Sequence, residues 1–514
     1  MTSKEIGDGY QSPLDAKEVK KLKSQRVKEL QAKRVFFELV LYMLFLCVLY
    51  LISFSNRDTQ SFWLKNHLDQ HLLHKITPAA LETNITVDRF YKIKYNGNKM
   101  IPEERLYLAD QSSFRVGPLR LRQLRAPKER CMYPFLIDAT CYDEYSIPGE
   151  LTTDYCVGWM KAPCTASEQI MYKSSDAWKF TSAVDIWGMP LFGVSKYYGG
   201  GGYIADLGVN FDISLDIINE LLTHSWIDRQ TRAVFVEFTL YNSNVNLFTY
   251  MSLPVEFLET GGVLLSDFIQ PFRSYQHVGN LGVVTFICEV VYIIAIIIFA
   301  TKKFIQIYKT GCEFFRDKWQ VFDLVIIVLT SVCVGVYFAR LILTNITMSK
   351  FSENKNKFVN FSHIAVTDEI LSAIIATLVF LSTLRLLRVL SYNKRLTELA
   401  SVLTHAFKEL VACAIMFFIV YFAYVAAGYL FFGRNLRTYK DLLVAMTTIS
   451  NALIGRNSIS DLRETVPIIA EIYYFTFVLF VMWILMTMLN ATLNKSISEI
   501  RKSSCQQAPP YGVY

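Results

Sequence analysis

Six long apolar stretches constrain this chain more than any other feature of its sequence. They are Val35–Phe54, Val283–Ala300, Val321–Leu343, Ile370–Leu390, Leu410–Phe432 and Val466–Leu493. About 20 consecutive apolar residues suffice for a helix to cross a bilayer, and each stretch is apolar on nearly all faces. A soluble protein of 514 residues would reach 52% hydrophobic residues only with unusually large cores. The sequence therefore predicts an α-helical membrane protein with six spans.

The spacing of the six spans is uneven. Residues 55–280 separate the first span from the second, whereas the fifth and sixth bracket a short re-entrant loop, Tyr439 to Arg456. A long insert followed by a loop between the last two spans is the layout of an ion channel. We therefore expect the residues that decide the function to lie at the end of that loop.

Lysine and arginine predict the orientation of the spans. Eight basic residues lie in Lys17–Arg34, and further ones lie in the turns after the second span (301–319) and the fourth span (Lys394, Arg395, Lys408). All three segments fall on one side, which is cytoplasmic by the positive-inside rule. Both termini are then cytoplasmic, the insert is extracellular and the first span is a signal anchor.

The net charge of +7 arises largely from these inner flanks. It predicts contact with anionic membrane lipids and gives no support to nucleic-acid binding, because no soluble part combines basic and aromatic residues in a binding platform. The sequence has no nucleophile elbow, nucleotide loop or metal-ligand cluster. We therefore expect no enzyme activity, no cofactor and no metal site.

Four of the ten cysteines, Cys131, Cys141, Cys156 and Cys164, crowd into the insert. Clustered cysteines in an oxidising compartment predict disulfides. Three pairings are possible, and we expect Cys131–Cys141 with Cys156–Cys164; a zinc site is the rival interpretation, although the spacing lacks a Cys-x-x-Cys pair. Glycosylation is predicted at the sequons that face outward, Asn84, Asn345 and Asn360.

The insert itself predicts a folded α+β domain. Ala233–Tyr241 and Val245–Val255 alternate as strands around the turn 242–244, and Leu215–Leu222 has helical character. The glycine run Gly199–Gly202 lacks the Lys-Ser/Thr sequel of a phosphate-binding loop, so a tight turn into a strand is expected there.

Several motifs in the insert and spans, in one order, resemble the polycystin family of TRP-like cation channels. They are Leu119-Arg-Leu-Arg-Gln-Leu-Arg125, Cys141-Tyr-Asp-Glu-Tyr145, Trp226-Ile-Asp-Arg-Gln-Thr-Arg232, Val245-Asn-Leu-Phe248, Phe272-Arg273, Ala414-Ile-Met-Phe-Phe418, Tyr421-Phe-Ala-Tyr424 and Tyr473-Tyr-Phe-Thr-Phe477. The resemblance runs from Val35 to Ile500. The basic entry into the first span looks more like the polycystin-1-like side, which indicates a compact member or a fragment.

The resemblance implies a fold and an assembly. Six spans would form a voltage-sensor-like bundle plus a pore domain, with an extracellular polycystin domain between spans one and two. The implied divisions are a cytoplasmic N-terminus (1–34), the first span (35–54), the polycystin domain (55–280), spans two to four (281–395), the pore domain (396–500) and a cytoplasmic tail (501–514). Four subunits would surround one pore, as homotetramers or heterotetramers with polycystin-2-like subunits, in the plasma membrane or the ciliary membrane.

Charged side chains in the spans are candidates for ion pairs within the bundle, because an unpaired charge at that depth is costly. They are Glu289, Asp323, Arg385 and Arg388, the two arginines being three residues apart. We favour a static role, in which the arginine side chains reach toward the cytoplasm and hold the inner end of the bundle, over voltage sensing, because two arginines are few. In the last span, Asn490 and Asn494 lie one turn apart and are candidate gate residues; an interhelical hydrogen bond is the alternative.

The predicted selectivity filter is Ile454-Gly455-Arg456. In polycystin-2-like channels the matching residues are Leu-Gly-Asp, whose carbonyls and ring of acids attract cations. Arg456 reverses the sign of that ring unless it turns outward to Asp461 or Glu464. The sequence thus predicts a nonselective channel subunit for Ca²⁺, Na⁺ and K⁺ that conducts beside acidic-filter subunits. The alternative is a non-conducting receptor or assembly subunit.

Overall fold

The computed structural model describes residues 16–57, 59–70, 94–95, 98–99, 112–131, 140–161, 163, 172–275, 279–390, 394–456 and 460–485. Shorter pieces of the last helix are described at 487–488, 490–492, 494–495 and 497–498. The chain divides into two compact units, Met1–Leu384 and Arg385–Tyr514. The first contains the insert and the helices around it, and the second contains the predicted pore.

Among the described residues, five helices are long and apolar enough to cross a membrane. The α-helices are α1 (Ala16–Asn56), α2 (Thr59–Leu68), α3 (Phe211–Thr223), α4 (Gly279–Thr310), α5 (Lys318–Glu353), α6 (Ser362–Leu384), α7 (Leu386–Leu390), α8 (Lys394–Phe432), α9 (Leu442–Leu453), α10 (Ser460–Thr465) and α11 (Pro467–Phe477). Helices α1, α4, α5 and α8 contain the first, second, third and fifth predicted spans, and the fourth predicted span is divided between α6 and α7. The sixth predicted span begins as α11 and continues as a π-helix, Val478–Leu485, before it reaches residues outside the described set.

The fourth predicted span is not one continuous helix. Helix α6 ends at Leu384, Arg385 lies in a turn, and the short helix α7 carries Arg388. The sequence pattern predicts that both arginines lie on one helix. The structure shows that they do not. Both are half-buried.

The helices of the first unit contact each other through aromatic rings and hydroxyl groups. Tyr42 on α1 donates its hydroxyl to the carbonyl of Ser382 on α6 at 2.6 Å. Phe45 on α1 stacks on Tyr292 of α4, with ring centroids 5.1 Å apart. Hydrogen bonds of this kind join helices well in lipid, because no water competes for the polar groups.

Two buried ion pairs join long helices of the same unit. Lys303 of α4 binds Asp323 of α5 at 2.8 Å, and the Asp323 side chain is 1% exposed. Arg340 of α5 binds Asp368 of α6 at 2.8 Å and also donates to the carbonyl of Arg273. Because removal of one partner would leave an uncompensated buried charge, these pairs define how the helices align.

The insert is an antiparallel sheet with short additional hairpins. Its strands are β1 (Lys94–Tyr95), β2 (Asn98–Lys99), β3 (Phe114–Arg115), β4 (Arg120–Arg125), β5 (Lys128–Arg130), β6 (Thr140–Tyr142), β7 (Tyr155–Cys156), β8 (Met160–Lys161), β9 (Phe180–Thr181), β10 (Leu191–Phe192), β11 (Tyr197–Tyr198), β12 (Gly202–Asp206), β13 (Thr231–Asn242), β14 (Leu247–Phe257), β15 (Val263–Leu265) and β16 (Phe268–Phe272). The main sheet has the order β15-β14-β13-β4-β12-β9, with β16 also on β14 and β3 on β13.

The two strands predicted from alternation are the long central hairpin β13–β14, and the predicted helix lies within α3. The turn of the hairpin is later than expected: Asn242 still pairs with Leu247, and the turn is 243–246, with Asn246 at φ 53°. Helix α3 packs on the sheet around Trp178 and Trp226, both at most 2% exposed.

Strand β4 brings arginines into the interior of the insert. Arg122 is 1% exposed and binds Glu237 of β13 at 2.8 Å. Its guanidinium also donates to the carbonyls of Gly199 and Gly201 at 2.8 and 3.1 Å. The glycine run therefore bends around an arginine and leads into β12, the strand that the sequence predicted after it.

The disulfide Cys131–Cys141 joins the chain across the β5–β6 hairpin, as predicted. Cys156 is also disulfide-bonded, whereas Cys164 lies outside the described residues, as does the sequon at Asn84. Asn345 is exposed on α5. Asn360 is half-buried and donates its amide to the carbonyl of Trp187 at 2.7 Å, so a glycan there would break this contact.

The insert packs directly on the connection between α5 and α6. Phe361 stacks on Phe248 of β14 at 5.9 Å, and Phe272 of β16 lies against the same ring. Lys350 of α5 lies 3.5 Å from the ring centroid of Trp187. These contacts fix the insert against α5 and the connection between α5 and α6.

Candidate functional site

The candidate site is the loop between helices α8 and α11. Helix α8 ends at Phe432, and a short 3₁₀ turn, Arg437–Tyr439, leads into helix α9. Helix α9 contains 12 residues, about 18 Å at 1.5 Å per residue, so it is too short to cross a membrane. The loop that the sequence predicts to be re-entrant therefore contains one short apolar helix, which we call the pore-type helix.

One face of α9 packs on α8 and the other is exposed in the single chain. Ala445, Thr448 and Ile449 are buried at helical spacing, whereas Leu443 is 74% exposed. Thr448 donates its hydroxyl to the carbonyl of Thr438 at 2.7 Å, which attaches the helix to the preceding turn.

Gly428 on α8 permits a close approach beside this helix. A side-chain carbon at residue 428 would lie 2.7 Å from the hydroxyl of Tyr473 and 2.8 Å from the ring of Tyr439. Tyr473 of α11 donates its hydroxyl to the carbonyl of Tyr424 at 2.7 Å. The apolar helices α8, α9 and α11 thus form one packed unit around aromatic residues.

The predicted filter residues close helix α9. Gly455 donates its backbone N–H to the carbonyl of Ala452 at 3.0 Å, and Arg456 donates to the carbonyl of Asn451 at 2.9 Å. Gly455 has φ +76°, the left-handed conformation that glycine adopts without penalty. This pair of bonds is a Schellman motif, so Gly455 serves here to end the helix.

Ile454 is 71% exposed, and Arg456 is exposed as well. The carbonyl end of a helix carries a partial negative charge, which favours a cation such as the Arg456 guanidinium nearby. Asp461 is one of the two acids that the sequence offers as an outward partner of Arg456, and its side chain lies outside the described set. A neighbouring basic residue, Arg463 of α10, binds Glu471 of α11 at 2.5 Å.

The candidate gate residues, Asn490 and Asn494, lie in described helical positions and are exposed in the single chain. A polar side chain exposed on this helix is available to water or to a neighbouring subunit. Their role in gating stays a prediction.

Two of the four predicted bundle charges have described partners that were not in the predicted set. Asp323 binds Lys303, and Glu289 accepts a hydrogen bond from Tyr337 at 3.3 Å. Sequence reasoning missed Lys303, although its place in the C-terminal part of α4 could have identified it as a partner. Arg385 and Arg388 belong to the other compact unit, so their pairing with these acids stays a prediction.

Comparison with known proteins adds a second line of evidence. The profile described as "Polycystin cation channel" matches residues 276–500, and "Polycystin domain" matches residues 85–274. Polycystin-2 of Danio rerio is 28% identical over 91% of this chain and 52% of its own length. Polycystin-2-like protein 1 of Homo sapiens is 26% identical over 91% of this chain and 59% of its own length. The chain thus spans little more than half of these relatives.

Proposed function

Because this chain belongs to the polycystin cation channel family, we propose that it is a pore-forming subunit of a nonselective cation channel permeable to Ca²⁺, Na⁺ and K⁺. We place it in a tetramer, beside polycystin-2-like subunits whose filters carry acids. The insert would face the outside of a plasma or ciliary membrane, and Asn345 on α5 would carry a glycan on the same side.

One observation carries the proposal. Helix α9 packs one face on α8 and ends in a turn whose residues, Ile454, Gly455 and Arg456, are exposed. In a tetramer this end is the part of the loop that can line a central path. Asn490 and Asn494 would line the same path further along the last helix.

Arg456 supports a heteromeric assembly over a homotetramer. At an effective dielectric constant of ~20, a unit charge ~8 Å from an ion changes its energy by about 2 kcal/mol, and twice that for Ca²⁺. Four arginines around one axis would therefore exclude divalent cations, whereas one arginine among acids would leave a passable barrier.

The same residue favours a second candidate function. A subunit whose mouth repels cations can serve as a receptor or assembly subunit, with its insert binding a partner outside the membrane. Its pore would contribute no current of its own.

The test is to record currents from this chain alone and beside an acidic-filter subunit, with Arg456→Asp in both assemblies. We expect little divalent current from the chain alone and at least a several-fold gain with Arg456→Asp, because the sign of fixed charge sets the local ion concentration. Arg437→Asp is the matched control, since Arg437 is exposed in the turn before α9 and not at its end.

An unchanged reversal potential and current for Arg456→Asp in both assemblies would remove Arg456 from the ion path. If this chain never alters the current of its partner, the receptor function stands in place of the channel function. Equal gains from Arg437→Asp and Arg456→Asp would assign the effect to general surface charge.

A further inference from the structure

Tyr421 on helix α8 is bonded to the last turn of the pore-type helix α9. Its hydroxyl oxygen lies 2.8 Å from the carbonyl oxygen of Met446 and 2.8 Å from Oγ of Ser450. Ser450 Oγ itself lies 2.8 Å from the same carbonyl. The hydroxyl groups of Tyr421 and Ser450 have two protons between them for these three short contacts. The orientation of one hydroxyl therefore depends on that of the other.

Both the hydroxyl and the ring of Tyr421 make contacts at this position. Tyr421 is 6% exposed, and its ring stacks on Phe417 with centroids 6.0 Å apart. A phenylalanine would fill the same space on this apolar helix. The hydroxyl in a membrane interior must find a partner, and here the partner is the pore-type helix.

The hydrogen bond between Tyr421 and Ser450 lies close to the predicted filter residues along α9. Ser450 lies one helical turn before Ile454, and the neighbouring carbonyl of Asn451 accepts the backbone N–H groups of both Ile454 and Arg456. The middle of α9 is attached separately, through Thr448 to the carbonyl of Thr438. A short helix attached at two places keeps its angle, whereas one attached at a single place can tilt.

We propose that Tyr421 is a positioning residue for ion selectivity: through Ser450 it fixes the depth and direction at which Ile454, Gly455 and Arg456 meet the ion path. The proposal rests on the channel function proposed above. A role in packing alone would affect how much channel forms, whereas a positioning role changes which ions pass through the channels that do form.

The test compares the Ca²⁺-to-Na⁺ permeability ratio of heteromers that contain the wild-type chain, Tyr421→Phe, Ser450→Ala or both substitutions. We expect each single variant to change the ratio at least twofold, and the double variant to change it no further than the larger single effect. Tyr424→Phe is the matched control. Tyr424 lies one turn along α8, and its hydroxyl makes no hydrogen bond with the described residues, so its removal leaves the ratio unchanged.

An unchanged ratio in both single variants, with normal amounts at the cell surface, overturns the proposal, as does a loss of current amplitude without any change in selectivity. If Tyr421→Phe does not reach the surface, Ser450→Ala alone decides.

If the wild-type chain alters no current at all, the channel function fails, and the positioning role is then judged by the rate at which an aqueous thiol reagent modifies Arg456→Cys. Tyr421→Phe must change that rate at least threefold over the background of the native cysteines, and an unchanged rate refutes the role.

Discussion

Glu150 makes the stability of the insert depend on pH. Its carboxylate is half-buried beside Arg122 and Tyr145, and its Oε1 atom has no hydrogen-bond partner among the described residues. Burial raises the pKa of Glu150 to about 7, and the Arg122 guanidinium, itself bound to Glu237, lowers it only in part. Burial also raises the pKa of Tyr145 to about 12, so the phenol stays protonated.

The sign and size of the effect follow from this pKa. A carboxyl with a raised pKa in the folded state stabilises the fold fully below its ordinary value of 4.5, and that contribution is lost as the pH rises through about 7. At about 1.4 kcal/mol for each tenfold change in proton affinity, the full difference is about 3 kcal/mol. Partial contact with water reduces it to about 2 kcal/mol.

We therefore expect Glu150→Gln to raise the melting temperature of the purified full-length chain at pH 8 by about 4–8 °C, because 1 kcal/mol corresponds to about 2–4 °C in a domain of this size. At pH 4.5 the variant and the wild type should melt together. Glu144→Gln is the control, since the Glu144 side chain is 77% exposed and its loss should move the melting temperature little at either pH. Equal shifts of Glu150→Gln at both pH values would refute the reasoning, as would no shift at either.

Two further predictions concern the disulfide and the end of the pore-type helix. Cys131→Ser should lower the free energy of unfolding by about 2–3 kcal/mol, because the bond closes a loop with a separation of 10 residues, and reductant should lower it by that much more in the wild type than in the variant, which keeps the bond of Cys156. Gly455→Ala should cost about 1–2 kcal/mol per subunit from the left-handed φ alone, since no other atom of the described residues lies within 4 Å of the added carbon. Gly455→Asn should cost less, and equal melting temperatures of the two variants would contradict the helix-ending role.

Much of the fold could be predicted because hydrophobic length and alternation are local properties. The first five spans, the central hairpin of the insert and the Cys131–Cys141 pair follow from residues that are close in sequence. The break at Arg385 could not be predicted in the same way, because the apolar pattern continues through it.

The candidate filter was located by its position at the end of a short loop and by its match to Leu-Gly-Asp, whereas the left-handed conformation of Gly455 came from the structure. What the sequence by itself determined was a membrane protein with a folded insert and an unusual arginine at a channel-like mouth. Only the tertiary structure decided the pairings: Lys303 with Asp323, Arg122 with Glu237 and the glycine run, and Tyr421 with Ser450. Partners of this kind are 20 to 115 residues apart, and a hydrogen bond or ion pair depends on a few ångströms that no local pattern encodes.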